Sequence, residues 1–327
     1  MIPRTLTVSL GAIVAAASIV TAGDGAAQAK YPEKSVRLVV GFPAGSTADF
    51  VARHIAQKLG DAWGKPVVTD NISGAAGSIA AERVAKATAD GHTLALASNA
   101  QIVVNPNLYK LTYDTANDFA PISQVSVAPN VLVVHNSLPA RSPAELIALA
   151  KARPGEITFA SGGIGSSPHL AGELLKSRAD IDIRHIPYKG VVAATPDLLA
   201  GRVIMMFSPI TVVLPLAREG KLRALAVTSL RRSEAVPGLP TLAESGFPGF
   251  EVTLWYGLLA PGGTPPALVR RIYLDTTKAL ELAELRAKFV SSGLELIGSS
   301  PEQFASVIQS EIPKWRKVIK DSGIRPN

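Results

Sequence analysis

The sequence contains no cysteine. That excludes a disulfide framework and, behind any leader, attachment as a lipoprotein. A chain of 327 residues, 47% of them apolar, can bury two sizeable cores without such staples. Conventional catalytic signatures are missing too. There is no G-x-S-x-G elbow, no G-K-[ST] phosphate loop, and none of the five histidines sits in H-E-x-x-H. His169 and Glu173 fall on one helical face, but no second ligand stands nearby, so a capping or surface histidine is the simpler reading. Beyond the first thirty residues no apolar run approaches the roughly 20 residues of a membrane span, so a soluble mature chain is expected. Basic residues outnumber acidic ones, 33 to 26, for a formal net charge of +7. They are scattered, however. The densest group, Arg231-Arg232 with Lys221 and Arg223, has no interleaved aromatics. Nucleic acid is therefore not an expected partner, and the excess reads as a solvated surface that mildly favours anions.

The first thirty residues have their own logic. Arg4 supplies a positive start, Leu6 to Ala22 is a small-residue and apolar stretch, and Ala27-Gln28-Ala29 is an A-x-A cleavage box before Lys30. Residues 1–29 thus read as a secretory signal peptide, which places the mature chain in the periplasm of a Gram-negative cell. A membrane anchor is the competing reading. It is disfavoured because the apolar core is short and ends in a cleavage box rather than a basic stop.

The mature chain alternates strand and helix. Strands are expected at 36–41, 66–71 and 93–97, with helices at 48–60 and 78–87 between them. Phe50, Val51, Ile55 and Leu59 recur at helical spacing, and Gly60 is a plausible stop. The stretch 119–135, "FAPISQVSVAPNVLVVH", reads as two strands separated by "APN", a chain crossing from one sheet to another. A second βα rhythm follows, with strands at 157–160, 182–187, 203–207 and 222–228 and helices at 142–152, 167–178 and 193–200. Ser142-Pro143-x-Glu145 reads as a capping box one residue short. Residues 251–261, "EVTLWYGLLAP", are extended and aromatic and return the chain to the first lobe, before helices at 267–289 and 301–321. The expected organisation is α/β in two lobes, 30–128 with 251–327 and 129–250. The two crossovers form the hinge, at 125–131 and 249–254.

The carboxyl ends of these strands carry loops of one character. "GFPAGSTADF", Gly41 to Phe50, is rich in glycine and hydroxyls. So are Gly74-Ala75-Ala76-Gly77-Ser78, Ser98-Asn99 and Ser161 to Ser167, and Pro187-Tyr188-Lys189-Gly190 and Ser208-Pro209 end two further strands. Open α/β sheets bind ligands at such ends. Free N–H groups and small hydroxyls at helix N-termini favour an anion without a counter-charge in the site. Nothing in these loops pairs a nucleophile with a base. Phe42 either packs on a ligand's carbon skeleton or covers the first helix. Asp49 caps that helix or braces the loop from behind, and would meet a ligand amino group only if the ligand were an amino acid. Gly163-Ile164-Gly165 approximates a dinucleotide fingerprint, but Pro168 stands at the third glycine, so no cofactor is expected.

Six segments together resemble a known family. They are "YPEKSVRLVVGFPAGSTAD" from Tyr31, "NISGAAGSIAAERVAKATADGHTLALAS" from Asn71, "NPNLYKLTYDTANDFAPIS" from Asn105, "ASGGIGSSPHLAGELLK" from Ala160, "HIPYKGVVAATPDLLAGRV" from His185 and "GLPTLAESGFPGFEVTLWYGLLAPGGTP" from Gly238. The chain resembles, over essentially its whole mature length, the Bug-type extracytoplasmic receptors of tripartite tricarboxylate transporters. The resemblance implies a two-lobed, Venus-flytrap (type II) periplasmic binding protein fold. It implies a monomeric receptor, not an enzyme, that closes on a small carboxylate and delivers it to inner-membrane permease subunits, or serves a sensor kinase. By motif, first-lobe contacts would be Phe42, Ala44, Ser46, Thr47, Asp49, Ala75, Ala76, Ser98 and Asn99. Second-lobe contacts would be Ser161, Gly162, Gly163, Gly165 and Ser166, with His169, Tyr188, Lys189 and Ser208 nearby. The chain departs from the family's usual Phe-Pro-x-Gly-Gly at Ser46, where a hydroxymethyl replaces bare backbone. An exported α/β enzyme acting on a carboxylated substrate through His185, Tyr188 and Lys189 is the alternative.

Overall fold

The computed structural model describes Met1, residues 31–321, Gly323 and Ile324. The signal peptide expected over residues 1–29 lies, Met1 apart, outside the described residues.

Strand β1 (Val36–Val40) is flanked in parallel by β2 (Val67–Asn71) and β3 (Thr93–Ser98). Val36, Leu38, Val39 and Val40 are all buried, as expected of a strand covered on both faces. Helix α1 (Thr47–Trp63) starts where Ser46 turns extended and its Oγ accepts the Asp49 N–H. It stops at Gly64, whose left-handed φ of 62° returns its N–H to the Gly60 carbonyl. The apolar face of α1, with Val51, Ile55 and Leu59, is buried. Helix α2 (Ser78–Ala85) crosses between β2 and β3.

Strand β4 (Phe119–Val134) is one continuous strand of 16 residues rather than the two expected. It serves two groups of strands. Its residues 119–129 pair antiparallel with β9 (Thr253–Pro261), which also pairs with β3. Its residues 130–134 pair with β7 (Met205–Pro209) and, on the other side, β8 (Arg223–Val227). Strand β7 then continues in parallel to β5 (Thr158–Ser161) and β6 (Arg184–Pro187). The short β10 (Glu295–Leu296) adds to β4 near Ser126 and Val127.

The change of partner falls at Asn130, and a knot of hydrogen bonds marks it. Thr228 Oγ1 accepts from Asn130 N at 2.9 Å and lies 2.6 Å from the Val252 carbonyl. Asn130 Nδ2 donates to Ser167 Oγ at 2.7 Å and to Val252 O at 3.1 Å. The two stretches that cross between strand groups are thereby stitched to each other.

The remaining helices cover the sheet: α3 (Pro143–Ala152), α4 (Ser167–Ala179), α5 (Val191–Leu199), α6 (Ile210–Arg218), α7 (Pro266–Glu281), α8 (Ala283–Ser291) and α9 (Pro301–Asp321). Ser142 and Glu145 stand at the full capping-box offset, which corrects the shorter spacing expected: Ser142 Oγ accepts the Glu145 N–H. The single helix expected over 267–289 is broken at Leu282, whose ψ of 123° is extended. Helix α6 was not expected, because Pro215 interrupts its pattern and it follows β7 without a loop. Close packing dictates one glycine in particular. A Cβ on Gly257 of β9 would fall 2.1 Å from the ring of Phe304, so only glycine lets α9 lie this close to the sheet.

Candidate binding site between the strand ends

The loop after β1 is held from behind. Asp49 Oδ2 accepts the Gly45 N–H at 3.0 Å, and Arg53 Nε donates to Asp49 Oδ1 at 2.9 Å. Arg53 Nη2 reaches Asn71 Oδ1, and Asn71 Nδ2 donates to the Phe42 carbonyl at 2.9 Å. Burial alone would raise the Asp49 carboxyl, but Arg53, Gly45 and Asn71 hold it below its ordinary range. Both oxygens are committed to the protein, and Asp49 does not line the cavity described next.

The loops of the two strand groups enclose a cavity of about 50 Å³. From the first group it is lined by Phe42, Pro43, Ser46, Thr47, Ala48, Ser98, Ala100, Leu254 and Tyr256. From the second come Gly162, Ser166, Ser167, Pro168, Gly190, Val191, Val192 and Pro209. None of these lining residues is charged. The amino ends of α1, α4 and α5 converge on it, together with a π-turn over Ala100–Val104 whose cap is Asn99. Such ends carry partial positive charge and unpaired N–H groups, so the environment suits an anion that brings its own apolar body. The two strand groups also touch directly beside the cavity. Thr47 Oγ1 hydrogen-bonds Thr211 Oγ1, and Tyr109 Oη reaches the Ile164 carbonyl at 3.5 Å. A Cβ on Gly165, where φ is 78°, would come within 2.6 Å of Leu108 Cδ1.

Of the residues expected to contact a ligand, Phe42, Ser46, Thr47, Ser98, Gly162 and Ser166 line this cavity. The others are placed elsewhere. Ala44 and Ala75 are exposed, and Ala75 and Ala76 adopt left-handed φ of 47° and 49° while their carbonyls face Asn105 Nδ2. Asn99 donates to the Thr253 carbonyl instead of into the cavity. Tyr188 turns its hydroxyl to Asp197 Oδ2 at 2.7 Å, and Lys189 is exposed. Ser208 is fully buried in the β4–β7 pair.

Ser161, Gly163, Gly165 and His169 form a scaffold behind the second-group loop. His169 Nδ1 accepts the Gly165 N–H at 3.1 Å, and Ser166 Oγ lies 2.7 Å from the Gly163 carbonyl. His169 stacks on His185 at 4.1 Å, and His185 on Phe159 at 4.8 Å. Burial, then proximity to His185, pushes His169 down to about 3; burial, then Lys176, pushes His185 down to about 4. Both rings are neutral at neutral pH. His185 Nε2 lies 2.6 Å from Ser161 Oγ, a hydroxyl–imidazole pair that the loop motifs did not contain. Ser161 is nevertheless fully buried, and its Oγ also engages the N–H and carbonyl of Gly163. The pair fixes the loop; it does not open onto the cavity.

Sequence reasoning missed the apolar wall. Val191, Val192 and Pro168 sit in first helical turns, one step beyond the glycine-rich loops. Leu254 and Tyr256 alternate with Trp255 in β9, a period-two signal that the crossing segment carried.

A family model described as the tripartite tricarboxylate transporter family receptor matches residues 51–324. Protein BugT of Bordetella pertussis is 38% identical over 297 residues, covering 90% of this chain and 91% of that protein. Among solved structures, R. palustris Rpa4515 with adipate is 38% identical with a TM-score of 0.88, covering 91% of this chain and 100% of the other. The periplasmic binding protein BugD is 33% identical, with a TM-score of 0.86 and coverage of 91% and 100%. MatC from Rhodopseudomonas palustris with bound malate is 31% identical, with a TM-score of 0.83 and coverage of 88% and 100%. The fold is accordingly the two-lobed α/β architecture of periplasmic binding proteins. The chain belongs to the tripartite tricarboxylate transporter receptor family.

Proposed function

We propose that this chain is an exported receptor that captures a small organic carboxylate between two lobes and delivers it to the permease of a tripartite transporter. The observation that carries this reading is the cavity itself: helix amino ends and hydroxyls converge on it, and no lining side chain is charged. Adipate in Rpa4515 and malate in MatC support the ligand class. Because no acidic side chain lines the cavity, an ammonium group would be desolvated there without a partner. Carboxylates lacking an amino group are the favoured class, and amino acids are not. Residues 30–128 with 251–327 act as one lobe and 129–250 as the other, hinged at 125–131 and 249–254. Ligand contacts made by both lobes favour closure.

A thermal-shift screen of organic acids tests the reading. A ligand at about a hundredfold its Kd adds about 2.7 kcal/mol, a rise in Tm on the order of 5 °C. Amino acids and amines should give none. No shift with any organic anion overturns the proposal. The buried Ser161–His185 pair is the one feature that favours the enzyme reading. Chemical conversion of an acid that also raises Tm would replace binding with catalysis. Co-purification with permease subunits, as opposed to a sensor kinase, separates delivery from signalling.

A further inference from the structure

Hydroxyls from both strand groups meet beside the cavity. Tyr256 comes from β9, Thr47 from the first turn of α1, and Thr211 from the first turn of α6. Thr47 and Tyr256 line the cavity and are buried, and the Thr47 hydroxyl hydrogen-bonds Thr211 Oγ1 at 2.5 Å. Thr211 itself does not line the cavity. It is held in place by its neighbour Ile210, fully buried and packed where a Cβ on Gly293 would come within 2.7 Å of it.

Each hydroxyl has one proton to donate. The bond between the two threonines uses one of their two protons, and its direction is open until something beside Thr47 chooses it. A carboxylate is an acceptor only. Placed beside Tyr256 and Thr47, it draws the Thr47 proton. Thr211 must then donate to Thr47, and each bond polarises the next. We propose that Thr211 is a positioning residue for ligand capture: it senses the bound anion through Thr47 without touching it, and the anion strengthens the bond by which Thr211 ties the second strand group to the first. This rests on the receptor reading above. This requires the contact to break as the lobes part, so that it slows release alone.

The test uses full-length mature protein and a panel of three- to six-carbon mono- and dicarboxylates that includes adipate and malate. The strongest binder serves for stopped-flow kinetics. Thr211→Val should raise koff about threefold to tenfold with kon unchanged, the effect of one net hydrogen bond. The ligand-free Tm should not move, and Thr211→Ser should restore the wild-type rate. In a Thr47→Val background the effect of Thr211→Val should vanish. Unchanged koff in Thr211→Val, an undiminished effect in the Thr47→Val background, or an equal loss in Thr211→Ser overturns the proposal while leaving the receptor reading intact. If no acid in the panel binds the wild type, both fall together.

Discussion

Single side chains shape the cavity wall. Ser46 is the clearest case. Its hydroxyl caps α1 by accepting the Asp49 N–H at 3.3 Å, and the same residue lines the cavity. Its φ of −72° is ordinary, so the position does not require glycine. Ser46→Gly should therefore cost only a few tenths of a kcal/mol at the cap. The hydroxymethyl it removes borders the cavity, so under the receptor reading the order of affinities across a carboxylate panel should change while Tm moves little. An unaltered order, measured by calorimetry, would show that Ser46 serves the helix alone. Asp49 teaches the complementary lesson. An acid in a ligand loop suggests a contact, yet its oxygens are spent on Gly45 and Arg53.

At the scale of elements, β9 and α9 together form the floor beneath the cavity. Leu254 and Tyr256 face the cavity, while Trp255 turns to α9 and donates to Glu311 Oε2 at 2.8 Å. Trp315 donates to the same oxygen at 3.3 Å. Burial raises the Glu311 carboxyl above its ordinary range, against the pull of the two indoles. A raised carboxyl stabilises the fold below its unfolded value, and that contribution is lost as pH rises through the folded value. Glu311→Gln keeps an acceptor for both indoles without the charge. Its Tm relative to wild type should thus improve from about pH 4 to pH 7, as read by thermal melts across that range; a relative loss toward pH 7 would contradict the assignment. Elements of this kind were legible in the sequence where their signals are local. The βα rhythm and the span of α9 followed from neighbours within a few residues, whereas α1 was expected to stop at Gly60 and instead runs to Trp63 with Ser46 and Gly64 as its caps. What was not legible depends on distant partners. The break at Leu282 and the two-residue β10 are set by packing, and the joining of two expected strands into β4 is set by β7, β8 and β9. The site divides the same way. Glycine and hydroxyl composition found the loops, but it gave Tyr188 and Lys189 the same weight as Ser166. Only the fold shows that Asp197 takes the Tyr188 hydroxyl.

For the molecule as a whole, charge and site are separate. The chain carries a formal net charge of +7, yet the cavity presents no charged lining residue. Approach of an anion should feel the first and its escape only the second. From about 0.01 M to about 1 M salt the Debye length falls from about 30 Å to about 3 Å. Over that range kon for a carboxylate should fall several-fold while koff stays constant. A koff that rises with salt in stopped-flow measurements would point to a cation in direct contact with the ligand.

The place of β9 has a consequence for the order of assembly. Ala97 of β3 pairs with Gly257, and β4 pairs along the other edge of the same strand. Until residue 261 is available, the first sheet is two fragments with facing open edges, which is the state most prone to pairing with the wrong strand. The second strand group, by contrast, closes from contiguous chain, with β5, β6, β7 and β8 all following β4. Its pairings with β4 close loops roughly half as long as those β9 closes, a difference of only about 0.6 kcal/mol in loop entropy, so the order is set by which strands are available. The middle of the chain is thus free to fold first, while β1 to β3, made before it, wait for β9, made after it.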